Sequence, residues 1–248
     1  MTTIATSTTG ADAPRTGNGR TTEQRAAGLA AIGYLAIFVL AIFANFMALG
    51  SVLDPGDAVG TARALAEQEQ SFRLGAIAFV IIMVADVAVA WALHVVFRPV
   101  GADLSLLAAW MRLAYAVILG AALSGLYVAL WLTNHPDAFG DSHPDAVLLA
   151  LQAFDLTWVI GLAAFGVHLL VVGVLLRRSA GPVWLAAILM IAGAAYVIDT
   201  VAHLALADYE AWSDGFLVMV MIPSVVGEFA FTVWLVLRAR VRRAQPAV

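Results

Sequence analysis

The sequence has no cysteine and no lysine, and only 12% of its 248 residues are charged. Without cysteine there are no disulfides, thiolate metal sites, iron–sulfur clusters or cysteine nucleophiles. The scarcity of charge excludes a nucleic-acid binder, a disordered chain and almost every water-soluble fold, since soluble domains carry about 25% charged residues. Also missing are a phosphate-binding glycine loop, a dinucleotide fingerprint, a His-Glu-x-x-His zinc motif and a Gly-x-Ser-x-Gly nucleophile turn. What is abundant is apolar: 62% of the residues are hydrophobic. So few polar groups cannot cover a surface facing water, and the remainder of the surface must face lipid. All 13 basic residues are Arg, which with the abundance of Ala and Val suggests a GC-rich bacterial genome.

A membrane-spanning helix needs about 20 mostly apolar residues, and irregular backbone cannot face lipid with its polar groups unsatisfied. Six runs meet the requirement: 28–53, 74–97, 106–132, 147–176, 183–206 and 215–237. Turn chemistry separates them at Asp54-Pro55-Gly56, Arg98-Pro99, Asn134-His135-Pro136-Asp137 and Gly181-Pro182. The fold class is therefore an all-α bundle of six transmembrane helices. Residues 1–25 are read as a disordered tail and not a signal peptide, 26–238 as the membrane domain, and 239–248 as a basic tail. Between the first two spans, Asp57 is placed to cap a short helix whose Ala58, Ala62, Leu65 and Ala66 suit the outer membrane surface.

Orientation follows from Arg. Arg15, Arg20, Arg25, Arg98, Arg177, Arg178, Arg238, Arg240, Arg242 and Arg243 fall on one side, and only Arg63 and Arg73 on the other. Ten against two places both termini in the cytoplasm. The expected location is a bacterial cytoplasmic membrane. Trp91, Trp110, Trp184 and Trp234 then lie toward the cytoplasmic ends and Trp131, Trp158 and Trp212 toward the outer ends, as two interfacial belts.

An ionisable side chain at mid-bilayer costs about 2.5–3.5 kcal/mol on insertion scales, so those within the spans need compensation. Asp86 lies midway along the second span. Arg112 is on the third, its antiparallel neighbour, and can extend toward it. With His168 on the fourth span and Glu228 on the sixth they form an inner set, a candidate ligand or proton pathway. A structural ion pair is the competing reading of Asp86 with Arg112, and a satisfied core histidine that of His168. An outer polar set comprises Asp155, Asp199 and His203, with Arg73 at the mouth of the second span. Asp199 and His203 share a helix face at i, i+4. Asp155 and His168 are thirteen residues apart, roughly 140° around one helix, which keeps the two sets separate.

Gly120 with Ser124 and Ala121 with Gly125 provide small-residue spacing for close helix approach, and Gly161, Gly166 and Gly173 do the same on the fourth span. Pro223 stands five residues before Glu228 and removes a backbone donor there.

These residues resemble a known bacterial membrane family, domain-of-unknown-function family 4386. The likeness rests on Phe72-Arg73-Leu74-Gly75, Asp86-Val87, Arg98-Pro99-Val100, Arg112-Leu113, Phe165-Gly166-Val167-His168, Tyr196-Val197-Ile198-Asp199 and Pro223-Ser224-Val225-Val226-Gly227-Glu228. It runs from about Arg25 to Leu237 and implies an integral membrane protein of some six helices, without an activity.

The leading functional expectation is a protein that binds or transports a small ligand, ion or proton through a polar intramembrane cavity. In that reading Asp86 and Glu228 carry the proton or cation and Arg112 is the counter-charge. A metal-dependent lipid hydrolase built on Asp155, Asp199 and His203 is the alternative, since carboxylate and imidazole suit zinc, manganese or iron. A non-catalytic accessory or sensor subunit is the third. No cofactor is expected apart from such a metal. The expected partners are the lipid bilayer, a small-molecule or ion ligand, and further copies or other subunits in an oligomer, with no nucleic acid.

Overall fold

The computed structural model describes residues 21–240. Most of the two tails, 1–20 and 241–248, lies outside the described residues. Seven α-helices follow in order: α1 Thr22–Ala44, α2 Ala58–Glu67, α3 Glu69–Phe97, α4 Ala102–Thr133, α5 His143–Arg178, α6 Val183–Ala205 and α7 Ser213–Arg240. All except α2 are long and apolar enough to cross a membrane. There is no strand among the described residues. At 36 residues, α5 is about 54 Å long and outreaches a hydrocarbon core of about 30 Å.

Local sequence explains the helix ends. α1 opens inside the segment expected to be a disordered tail, because Thr21 and Gln24 form a reciprocal capping box. Its far end continues as a π-helical turn, Asn45–Gly50. Asp57 caps α2, its Oδ1 accepting from the Gly60 amide at 2.7 Å. Pro144 stands in the first turn of α5, where its missing N–H costs nothing. α7 remains helical through Pro223.

The six long helices close into a ring. α1 packs on α3, α3 on α4, α4 on α5, α5 on α6, α6 on α7, and α7 returns to α1. A Cβ built on Gly28 of α1 would stand 3.8 Å from the Ala239 Cβ of α7, so the start of α1 and the end of α7 share one face of the ring, here called the terminal end. α2 packs across α3, α4 and α5 at the distal end with Thr61 and Leu65 buried. It thus covers the ring rather than resting on the membrane surface alone: its apolar stripe is short, and the helix ends beneath it offer more apolar contact.

Small residues set the tightest crossings. A Cβ built on Gly166 would stand 2.5 Å from the Gly193 carbonyl oxygen, and the reverse holds equally, so α5 and α6 touch backbone to backbone. Gly125 approaches the Ala150 carbonyl of α5 in the same way. Gly120 instead faces Met83 on α3, while Ala121 and Ser124 are exposed. The small residues of α4 therefore serve two neighbours and not one seam. Trp91, Trp110, Trp131, Trp184 and Trp212 face outward as a belt requires, but Trp158 and Trp234 turn inward to join ring clusters.

Candidate functional site

Arg112 is among the largest fully buried side chains of the protein, 1% exposed. A guanidinium presents five N–H donors in a rigid plane, so burying it demands acceptors on several sides. α3 supplies Asp86, also 1% exposed, whose Oδ1 accepts from Nη2 at 2.6 Å and from Nε at 2.9 Å. α1 supplies Tyr34, whose hydroxyl oxygen accepts from Nη1 at 2.6 Å. α5 supplies His168, whose Nε2 lies 3.2 Å from the same Nη1. The guanidinium carbon also sits 4.5 Å from the centre of the Tyr34 ring and 5.2 Å from that of Phe165, so two aromatic faces share its charge.

The hydrogen bonds assign the imidazole. His168 Nδ1 is 2.8 Å from the Ala108 carbonyl and must donate to it. Nε2 faces an obligate donor and must accept, so the ring is the neutral tautomer. Two further groups complete the cluster. Asp86 Oδ2 is buried and has no hydrogen-bond partner among the described residues. Glu228 on α7 stands within electrostatic reach of Arg112, Asp86 and Tyr34 but makes no side-chain hydrogen bond among the described residues. Unlike the closed-in Asp86, Arg112 and His168, Glu228 keeps part of its surface uncovered, as does Tyr196 on α6. Asp86, Arg112 and His168, expected to share a site, are thus joined directly, with Glu228 alongside.

Buried rings bracket this cluster along the ring axis. Toward the terminal end, Phe231 meets Tyr34 edge-on at 5.6 Å and stacks with Phe97 and Trp234. Toward the distal end, Phe79, Phe154 and Trp158 pack together, and the Trp158 indole donates to the Tyr115 hydroxyl at 3.2 Å. Tyr115 in turn packs on Phe165.

The outer set is only partly assembled. Asp199 accepts from the Tyr209 hydroxyl at 2.7 Å, and the His203 and Tyr209 rings lie 3.5 Å apart. His203 Nδ1 is 3.9 Å from Asp199 and has no hydrogen bond among the described residues. Asp155 reaches His203 and Glu210 only electrostatically. Arg73 is elsewhere: its Nε donates to Glu69 at 2.8 Å, one turn back on its own helix, and Glu69 also accepts from Asn134. Among the described residues no three His, Asp or Glu side chains are arranged to hold a metal ion. The two sets remain apart, because Asp155 and His168 are separated by about 20 Å along α5.

Sequence reasoning missed Tyr34, Phe165 and Tyr209. For Tyr34 a signal existed: its hydroxyl lies mid-span, not at an interface, and a hydroxyl at that depth needs a partner.

Compared with known proteins, residues 29–239 match the family described as Domain of unknown function (DUF4386). An uncharacterised protein of Archaeoglobus fulgidus is 29% identical over 161 residues, 64% of this chain and 80% of that protein. No solved structure matches.

Proposed function

The chain belongs to the DUF4386 family, whose description carries no activity, and we propose from the central cluster itself that it is a membrane carrier for a proton or small cation. Charge at the cluster supports this reading. With both carboxyls ionised, Asp86 and Glu228 would bring two negative charges against the one positive charge of Arg112, and the His168 tautomer brings none. That state would leave one negative charge over in a low-dielectric interior, where an uncompensated ion is costly. A single bound proton or monovalent cation balances it.

The observation that carries the reading is Asp86 Oδ2, a buried acceptor without a partner among the described residues, in a cluster whose second acid, Glu228, makes no side-chain hydrogen bond among them either. A cluster serving only to fix helix register would satisfy both oxygens of its acid, since an orphaned buried acceptor costs about 1–3 kcal/mol. The lipid-hydrolase reading needs a metal-binding trio, and among the described residues the outer acids and His203 are not arranged as one.

The test is proton flux. Liposomes holding the purified protein and a trapped pH dye should dissipate an imposed pH gradient faster than protein-free liposomes. Glu228→Gln should return the rate to the protein-free leak while keeping the wild-type melting temperature. Wild-type liposomes no leakier than empty ones would overturn the carrier reading.

A further inference from the structure

The ring carries a trough on its outside, between the distal halves of α4 and α5. Its origin is local. Gly125 has no side chain, so the two helices meet there almost backbone to backbone, and a Cβ on it would stand 2.6 Å from the Ala150 carbonyl oxygen. Beside that contact the residues are again small: Ser124, Ala146 and Ala153 leave unfilled the space that larger side chains would take. The result is a cavity of about 460 Å³. Its floor of Ala122, Gly125 and Ala150 is buried, while its walls of Val128, Trp131 and Leu149 are exposed. It therefore opens outward, to the bilayer.

Shape and chemistry narrow the occupant. The lining runs from Leu132 and Ala146 at the distal end to Ala122 and Thr157, about 15 Å along each helix. That is the depth of one leaflet, half of a hydrocarbon core of about 30 Å. An apolar cavity of about 150 Å³ takes benzene, so 460 Å³ has room for a chain of about 18 carbons. Of the described lining residues, Ser124 and Thr157 alone carry hydroxyls, and that of Ser124 is turned back onto the Ala121 carbonyl at 2.6 Å. A polar ligand would leave its own groups unsatisfied there, and a hydrocarbon chain would not.

The distal mouth differs from the trough. Phe139 lines it, 68% exposed, with its backbone at φ 68°, in the left-handed region that favours glycine. The loop thus holds an aromatic ring at the mouth in a conformation that its surroundings have to impose. Asp137 and Asp141 flank Phe139, Asp145 precedes Ala146, and all three acids are exposed. The described Arg residues of this end, Arg63 and Arg73, are taken by Glu67 and Glu69, so the rim stays acidic. An anionic headgroup is repelled by such a rim, and one ending in an ammonium is attracted.

We propose that the trough between α4 and α5 binds one amine-headed lipid of the distal leaflet, its acyl chain lying between Ala122 and Phe139 and its ammonium at the Asp137, Asp141 and Asp145 rim. Binding forms no covalent bond. The site is separate from the Arg112 cluster and stands whether or not that cluster carries protons.

Native mass spectrometry of the full chain in detergent reads the bound lipid directly. Titrated with palmitoyl-oleoyl phosphatidylethanolamine, the wild type should retain one lipid per chain. Phosphatidylglycerol with the same chains should bind at least fivefold more weakly. Ala153→Phe fills the trough from an exposed position and should weaken retention at least tenfold, whereas Val201→Phe, on the exposed side of α6, should not. Replacing Asp137, Asp141 and Asp145 together by Asn should erase the preference between headgroups while the chain still binds. A phosphatidylethanolamine with a photoreactive diazirine at its chain end should label wild-type α4 and α5 near Ala122 and Thr157, a readout that needs no variant to fold. Equal retention by wild type and Ala153→Phe, or labelling confined to other helices, would overturn the proposal. So would a dimer that Ala153→Phe dissolves, since a second copy of the chain would then fill the trough. Equal binding of the two lipids to the wild type would overturn the amine-headed assignment.

Discussion

At the residue scale, the decisive fact is that one guanidinium is shared by three helices. Arg112 bonds Asp86, Tyr34 and His168 at once, so removing any one partner leaves a buried polar group unsatisfied. Breaking a buried ion pair costs about 3–5 kcal/mol, largely because the surviving charge stays unpaired. Asp86→Asn and Arg112→Gln should each lower the melting temperature of the detergent-purified protein. The double variant should lose less than the two losses combined, because neither charge is then stranded. Strict additivity in that thermal cycle would show that the two side chains do not stabilise one another. The pairing was legible because two opposite charges stood in apolar runs on either side of a tight turn. Tyr34 was legible only as a mid-span hydroxyl in need of a partner; that the partner is Arg112 depends on how α1 is rotated about its axis.

Elements are held by what is absent from their contact faces. The α5–α6 crossing is close because Gly166 and Gly193 lack side chains, and a methyl group on either would press within 2.5 Å of the opposing carbonyl oxygen. That obstacle is backbone, which cannot rotate away as a flexible side chain could. Gly166→Val should therefore destabilise the protein by about 1–3 kcal/mol or more through overpacking. Gly215→Ala in the first turn of α7 is the matched control. Nothing lies within 4 Å of its added methyl, so it should be neutral or stabilise by up to about 1 kcal/mol. Thermal melts of the two variants side by side check the pair, and equal effects would mean the crossing is not tightly packed. Small-residue spacing marked the positions able to support such contacts. It did not divide Gly120 from Gly125 between α3 and α5, since that depends on how α4 is rotated about its own axis.

At the scale of the whole molecule, the six spans and the approach of Gly28 to Ala239 put the start of α1 and the end of α7 on one face. Which face that is remains a matter of charge. Ten Arg against two argues for the cytoplasm, because flanking positive charge is retained there during insertion. A reporter enzyme active only outside the cytoplasm, fused after Val248, should be inactive, while a cytoplasm-active reporter at the same position should work. The opposite pattern would invert the assignment, and with it the side from which the two ring triads are approached.

The sequence by itself determined the all-α membrane fold, the six spans and the short list of side chains that have to be paired inside them. Each of these follows from local chemistry: lipid forces backbone polar groups into helices, and it makes every buried charge conspicuous. Tertiary structure alone decided that α7 closes the ring onto α1, that Trp158 and Trp234 turn inward, and that Arg73 pairs with Glu69 and not with the outer acids. It also decided that Tyr34 completes the Arg112 site while Glu228 keeps part of its surface uncovered. Those outcomes depend on the rotation and neighbours of each helix. In lipid both sides of a helix are apolar, so hydrophobic patterning says little about either, and close packing across the ring settles them.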